Sequence, residues 1–121
     1  MNYDMPFKIA DNLTISSNFK KSDFMKTSFY NNQNLSMFFW IRKDFRIKSH
    51  DFYVGFLFKN EEISQLQLYC VDKSLQNEDE RKIFNDEFVK EITNEFGLNP
   101  GSIKSIENKR DNIALIILNY N

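Results

Sequence analysis

A chain of 121 residues, 41% hydrophobic and 27% charged, is long enough to bury a core as a single domain over residues 1–121 and too apolar to stay disordered. Its net charge of −1, with acids and bases interspersed, lacks the basic field that a generic nucleic-acid binder exchanges for phosphate counterions. One cysteine, Cys70, forbids an internal disulfide; together with no apolar run of spanning length and no signal-peptide pattern in MNYDMPFKIADNL, it leads to the expectation of a cytoplasmic protein that engages no membrane. Asn, Lys, Ile and Phe are abundant while Gly, Pro and Arg are scarce, the residue usage of AT-rich codons. Some of the 13 phenylalanines therefore stand where another genome would write leucine, and no single one is a functional signal.

In chain order, residues 6–10 and 13–17 read as short strands around the Asp11-Asn12 turn signal. Ser22 precedes DFMKT and is placed to cap one helical turn with Phe24 and Met25 facing inward. Residues 28–35 are polar and Asn-rich and read as a loop. From Met37 the period-2 pattern is strong, with Met37, Phe39 and Ile41 on one side and Phe38, Trp40 and Arg42 on the other. Phe45 and Ile47 are assigned to a short strand beyond a break at Lys43-Asp44.

Phe52, Val54, Phe56 and Phe58 share one face, and Leu66, Leu68 and Cys70 share one on the return strand. Pairing even with even residues puts both sets on the same side, with Phe56 opposite Leu66 and Phe52 opposite Cys70. A three-residue loop, Asn60-Glu61-Glu62, gives that register, whereas a plain two-residue loop would oppose Phe56 to Gln65. Residues 78–96 read as the one long helix, with Asn77 as N-cap and Glu78, Asp79 and Glu80 at the positive end of its dipole. Phe84, Phe88, Ile92 and Phe96 recur every fourth position, Ile83 and Val89 widen the stripe, and Gly97 sits where a C′ glycine belongs. Ile103–Glu107 and Ile113–Leu118 read as a terminal hairpin, and IALIIL as a strand covered on both faces. The expected class is α+β: a mainly antiparallel sheet, the long helix on one face, and a C-terminal hairpin.

The even face of residues 52–58 is the expected floor under the long helix. On the odd face lie Tyr53, Leu57 and Tyr69, with Phe38 and Trp40 as further candidates, and Gly55 leaves a shallow gap between Tyr53 and Leu57. The plainer expectation is that the N-terminal strands and short helix cover this face. Left uncovered, it would be an apolar patch with polar tips, the kind of surface that proteins use for partners.

Chemistry-bearing patterns are sparse. HDFYVGFLF has aromatic spacing loosely like the central strand of an RNA-recognition motif, but lacks the leading basic-Gly pair. His50 falls on the same face as Cys70 in the expected register, which raises a Cys-His pair. Against it, a lone Cys within LQLYCVD reads as a small core residue and a His at a strand edge as solvated. Neither CxxC, HExxH nor a calcium loop is present. The glycines at 55, 97 and 101 build no phosphate cradle, so no metal, cofactor or catalytic residue is assigned and the chain is expected not to be an enzyme.

From residue 50 onward the chain resembles small bacterial immunity-type proteins of polymorphic-toxin and contact-dependent systems. The resemblance rests on a strand ending in F-x-N-x-x-I (FKNEEI), the strand LQLY, the acid-capped helix NEDERKIFNDEFVKEI with a Gly near its end, and the closing IILNY. The opening FKIADNLTISSNFKKSDFMKTS is similar to the N-terminal part of such proteins. Where that class has a tryptophan and glycine before the last hairpin, this chain has Pro100-Gly101. The resemblance implies a cytoplasmic protein that binds and neutralises a cognate toxin domain. The expected anchors are Trp40, Tyr53 and Tyr69, with Glu61 and Glu62 as rim charges that attract a basic partner. A secretion-type chaperone and a small carboxylate-dependent enzyme are the alternatives, and the oligomeric state stays open.

Overall fold

The computed structural model describes residues 6–30 and 38–120. In chain order these form β1 (Phe7–Ala10), β2 (Leu13–Ile15), α1 (Lys21–Met25), β3 (Phe38–Ile47), β4 (His50–Lys59), β5 (Glu62–Cys70), α2 (Glu78–Glu95), β6 (Ile103–Asn108) and β7 (Ile113–Asn119). The last five strands make one antiparallel sheet in the order β3-β4-β5-β7-β6, and β1 and β2 form a separate hairpin. This is the α+β architecture that the hydrophobic periodicities predict. Met37 and residues 31–35 of the expected Asn-rich loop lie outside the described residues.

The β4–β5 pairing sets the two faces of the sheet. Phe52 opposes Cys70, Val54 opposes Leu68 and Phe56 opposes Leu66, the even-with-even register expected. All six side chains are buried. The connection is not the expected three-residue loop, however. Lys59 pairs with Glu62 across a two-residue turn, with Asn60 in the left-handed region at φ 59°, and the register shifts beyond Leu57–Phe58. The shift leaves Ser64 as an extra residue on β5. This bulge turns Ile63, an odd-numbered residue, onto the core side opposite Phe58, where it is 0% exposed. A three-residue loop would have left Ile63 on the other face. The bulge also turns the Ser64 carbonyl to the Tyr120 amide, 2.9 Å away.

α2 packs on this even face. Asn77 caps it, its Oδ1 accepting from the Glu80 amide at 2.9 Å, and Gly97 at φ 64° ends it in the left-handed conformation that glycine adopts without strain. Phe88 and Ile92 are fully inside, while Phe84, Val89 and Phe96 are half-buried at the margins. Ile83, expected to widen the stripe, is instead 68% exposed, because it lies on the solvent side of the stripe centred on Phe88.

The N-terminal elements go to the same face, not the opposite one. Phe24 and Phe19 meet Phe56 at ring-centroid distances of 5.3 and 5.9 Å, and Phe7 meets Phe96 of α2 edge-on at 5.2 Å. They extend the core that α2 begins, and the odd face gains no cover from them. Two local expectations also change. The N-cap of α1 is Lys20 rather than Ser22, with the Asp23 carboxylate accepting from the Lys20 amide at 3.0 Å; Met25 is exposed because one short turn can turn only Phe24 inward. β3 runs on through Lys43-Asp44 as one strand with an irregularity between Ile41 and Phe45, which keeps Ile41, Phe45 and Ile47 all on the core side. Likewise β7 is central: Ala114, Ile116 and Leu118 are buried on one side and Leu115 on the other, where Ile113 and Ile117 flanking it are half-buried.

The position of Ile63 separates this register from the unbulged one. Ile63→Ala is expected to lower unfolding free energy by about 2–5 kcal/mol, the cost of emptying a filled core site, as read by urea denaturation. A loss within about 0.5 kcal/mol, the range of a surface substitution, would place Ile63 outside the core.

Candidate functional site

On the odd face, register brings three aromatic residues from three strands together. Trp40 of β3 is opposite Gly55 of β4, and Tyr53 of β4 is opposite Tyr69 of β5. These three rings and Ile113 of β7 line one open pocket of about 380 Å³. Tyr53 is exposed, and Trp40, Tyr69 and Ile113 are half-buried. Gly55, which lies between Trp40 and Gln67 in the register, is buried. All four lining residues stand on strands of the sheet, so the rings present apolar area from a rigid support. Tyrosine and tryptophan supply such area at low rotamer cost, each with a polar group at its edge.

Tyr69 is held by a polar network where β5 and β7 part. The ladder between these strands runs from Gln65–Asn119 to Leu68–Ile116. Beyond it the Ala114 amide donates to Glu78 Oε1 at 2.8 Å rather than to β5. Glu78 Oε2 accepts from the Tyr69 hydroxyl at 3.2 Å and from Arg81 Nη1. Arg81 Nε donates to the Cys70 carbonyl at 2.8 Å, and its guanidinium lies over the Tyr69 ring, 4.5 Å from the centroid. The first turn of α2 thus closes the gap in the sheet, and the same two side chains fix the Tyr69 ring on both its face and its hydroxyl. In the sequence Glu78 reads only as an acid at the positive end of the helix dipole. The signal that was missed is the i,i+3 pairing of Glu78 with Arg81, which with Asn85 is one of two polar residues buried on a mainly apolar stripe.

Glu61 and Glu62 do not join this pocket. They sit at the β4–β5 turn and hold α1: the Lys21 amide donates to the Glu61 carbonyl at 2.8 Å, the Ser22 amide to Glu61 Oε2 at 3.2 Å, and Glu62 forms an isolated bridge with Lys20. Tyr53 lies eight residues along β4 from Glu61, a separation of about 25 Å on an extended strand. The expected acidic rim is therefore remote from the aromatic anchors.

His50 and Cys70 are brought to the same side of the sheet with Asp72 bound to the histidine. His50 Nδ1 is 2.6 Å from Asp72 Oδ2, and the Asp51 amide donates to Asp72 Oδ1 at 2.8 Å. Burial pushes the Asp72 carboxyl up, but the Asp51 amide and the His50 ring outweigh it and hold the group below the usual carboxylate range. Burial pushes the Cys70 thiol up to about 11, so it is held protonated and is no thiolate nucleophile. The His50 side chain keeps 36% of its surface exposed, while its ring packs edge-on against Phe84 and Phe88 of α2 at 4.8 and 5.7 Å. The group joins the β4 start to the β5 end and docks α2. Among the described residues, no cluster of three or more His, Cys, Asp or Glu side chains is placed to hold a metal ion, and no helix is long and apolar enough to cross a membrane.

Compared with family models, curated proteins and solved structures, the chain finds no match in any of the three.

The Glu78–Arg81 network is open to a direct test. Arg81→Ala leaves the largely buried Glu78 carboxylate short of its cation, and the expected loss is about 3–5 kcal/mol in thermal or urea unfolding. Lys90→Ala breaks the solvent-exposed pair with Glu87, 3.6 Å apart, and is expected to change stability by less than about 0.5 kcal/mol. Equal effects would mean that Arg81 does not support the site.

Proposed function

We propose that this chain is a protein-binding module of the immunity type, which acts in the cytoplasm by docking a cognate toxin domain on the odd face of its sheet rather than by catalysis. The observation that carries this reading is the convergence of Trp40, Tyr53 and Tyr69 with Ile113 in one open, preformed pocket. Interfaces draw most of their affinity from a few aromatic anchors in a central, desolvated patch, and preorganised anchors lose little entropy on binding. Tyr69 is preorganised by Arg81 and Glu78. The remaining apolar lining suits an aliphatic or aromatic side chain of the partner inserted between these rings. The resemblance of FKNEEI, LQLY, the acid-capped helix and IILNY to immunity-type proteins supplies the class of partner. The carboxylates of Glu61 and Glu62, set apart at the far turn, are left out of the contact.

The test is paired affinity capture from the native cells with the tagged wild-type chain and with Trp40→Ala. The expected result is one stoichiometric partner carrying a toxin-type domain, retained by the wild type and bound at least about tenfold more weakly by Trp40→Ala, the loss typical of an aromatic anchor. Recovery of the bare protein, or a partner held equally by both, contradicts this reading.

A further inference from the structure

Two polar groups are buried where α2 lies against the C-terminal hairpin, and neither closes a hydrogen bond with a described residue. Asn85 of α2 is 0% exposed, and both its Oδ1 and its Nδ2 are unpartnered. The Ser105 hydroxyl of β6 is sealed from solvent in the same way. The Asp86 carboxylate comes close enough to interact with that hydroxyl, but the geometry closes no bond, and the carboxylate goes to Lys82 Nζ at 2.6 Å.

The two groups stand on facing elements at one level. Ser105 is opposite Ile116 of β7, which is fully buried in the core under α2. Asn85 directly precedes Asp86 and belongs to the buried run Arg81, Asn85, Phe88 and Ile92, so it lies on the inward side of α2 near Ser105. Ser105 and Ala114 are diagonal neighbours across β6 and β7, and both are small, whereas Ile103, Ile116 and Leu118 around them are large.

We propose that one internal water bridges the Asn85 amide to the Ser105 hydroxyl. An amide sealed from solvent without partners is costly, because nothing repays its lost hydration. Its neighbours on the stripe cannot repay it: Phe88 and Ile92 are apolar, and Arg81 is committed to the Cys70 carbonyl and to Glu78. Water is small enough to lie between packed elements, and it settles where two or more polar groups converge. The Ser105 hydroxyl keeps lone pairs for it even when its proton turns to Asp86. The bridge sets how far α2 is slid along the hairpin, and with it the place of Arg81 and Glu78 at Tyr69, one and two turns earlier on the same helix.

Oxygen-17 magnetic relaxation dispersion, which counts waters held for longer than nanoseconds, tests this with the full chain. The wild type is expected to hold such a water. Asn85→Leu and Ser105→Ala are each expected to melt cooperatively and to lower the count by one. The double variant is expected to lower it by one in all, because both residues hold the same molecule. An unchanged count in either single variant overturns the bridge, and so does a double variant that loses two. If a variant does not fold, the wild type decides. Its rotating-frame Overhauser spectrum is expected to show a direct cross-peak between the Asn85 side-chain amide protons and water, and absence of that peak overturns the proposal.

Discussion

The pairing of β4 with β5 is the constraint on which the rest of the molecule depends. Six side chains from these strands, Phe52, Val54, Phe56, Leu66, Leu68 and Cys70, form one apolar floor only in a single register. Burying each of the larger ones is worth about 1.5–3 kcal/mol, so a slip that turns out one strand's three side chains costs an amount comparable to the whole stability of a small domain. The bulge at Ser64 widens the floor by turning Ile63 inward as well. With that floor set, α2, α1 and the β1–β2 hairpin all dock on one side, because that is where the largest continuous apolar area lies.

Among the described residues the helices and the β1–β2 hairpin all pack on one face, and Tyr53 is exposed on the other. The aromatic residues there are stationed by the same register: Trp40 across from Gly55, and Tyr53 across from Tyr69. Stability and site are coupled again at the N-terminus of α2. Glu78 takes the Ala114 amide that the parting strands leave over, and with Arg81 it braces Tyr69. A polar cluster this well satisfied serves the sheet, the helix and the pocket at once, and removal of one member exposes the others to an unpaired burial cost.

Period-2 alternation made the two faces of β4 and β5 legible, and period-3.6 recurrence with Asn77 and Gly97 made α2 legible nearly to the residue. The shared face of Tyr53 and Tyr69 was legible for the same reason, whereas Trp40 was only a candidate for it, because the register of β3 on β4 was not readable from the pattern. The destination of the N-terminal elements was not legible either. Phe7, Phe19 and Phe24 can cover either apolar face, and only the docking of distant segments decides between them. The two-residue turn was hidden by the bulge, which restores with one extra residue the register that a longer loop would have given. Glu61 read as a free surface acid because its partners, the Lys21 and Ser22 amides, are some forty residues away in the chain. Arg81 was passed over because a charge within an apolar stripe reads as a defect until its partners on β5 and α2 are in place.

The central claim is that the described helices and N-terminal hairpin pack on one sheet face and that Trp40 lines an open pocket on the other. Trp40 is the only tryptophan, so its fluorescence reports on that face alone. Acrylamide quenching of the native chain, set against the same chain in denaturant, is the most direct measurement. An open, half-buried indole predicts ready quenching in the native state, with a constant within severalfold of the unfolded value. A native emission that is strongly blue-shifted and resists acrylamide would mean that the face is covered, and would contradict the account.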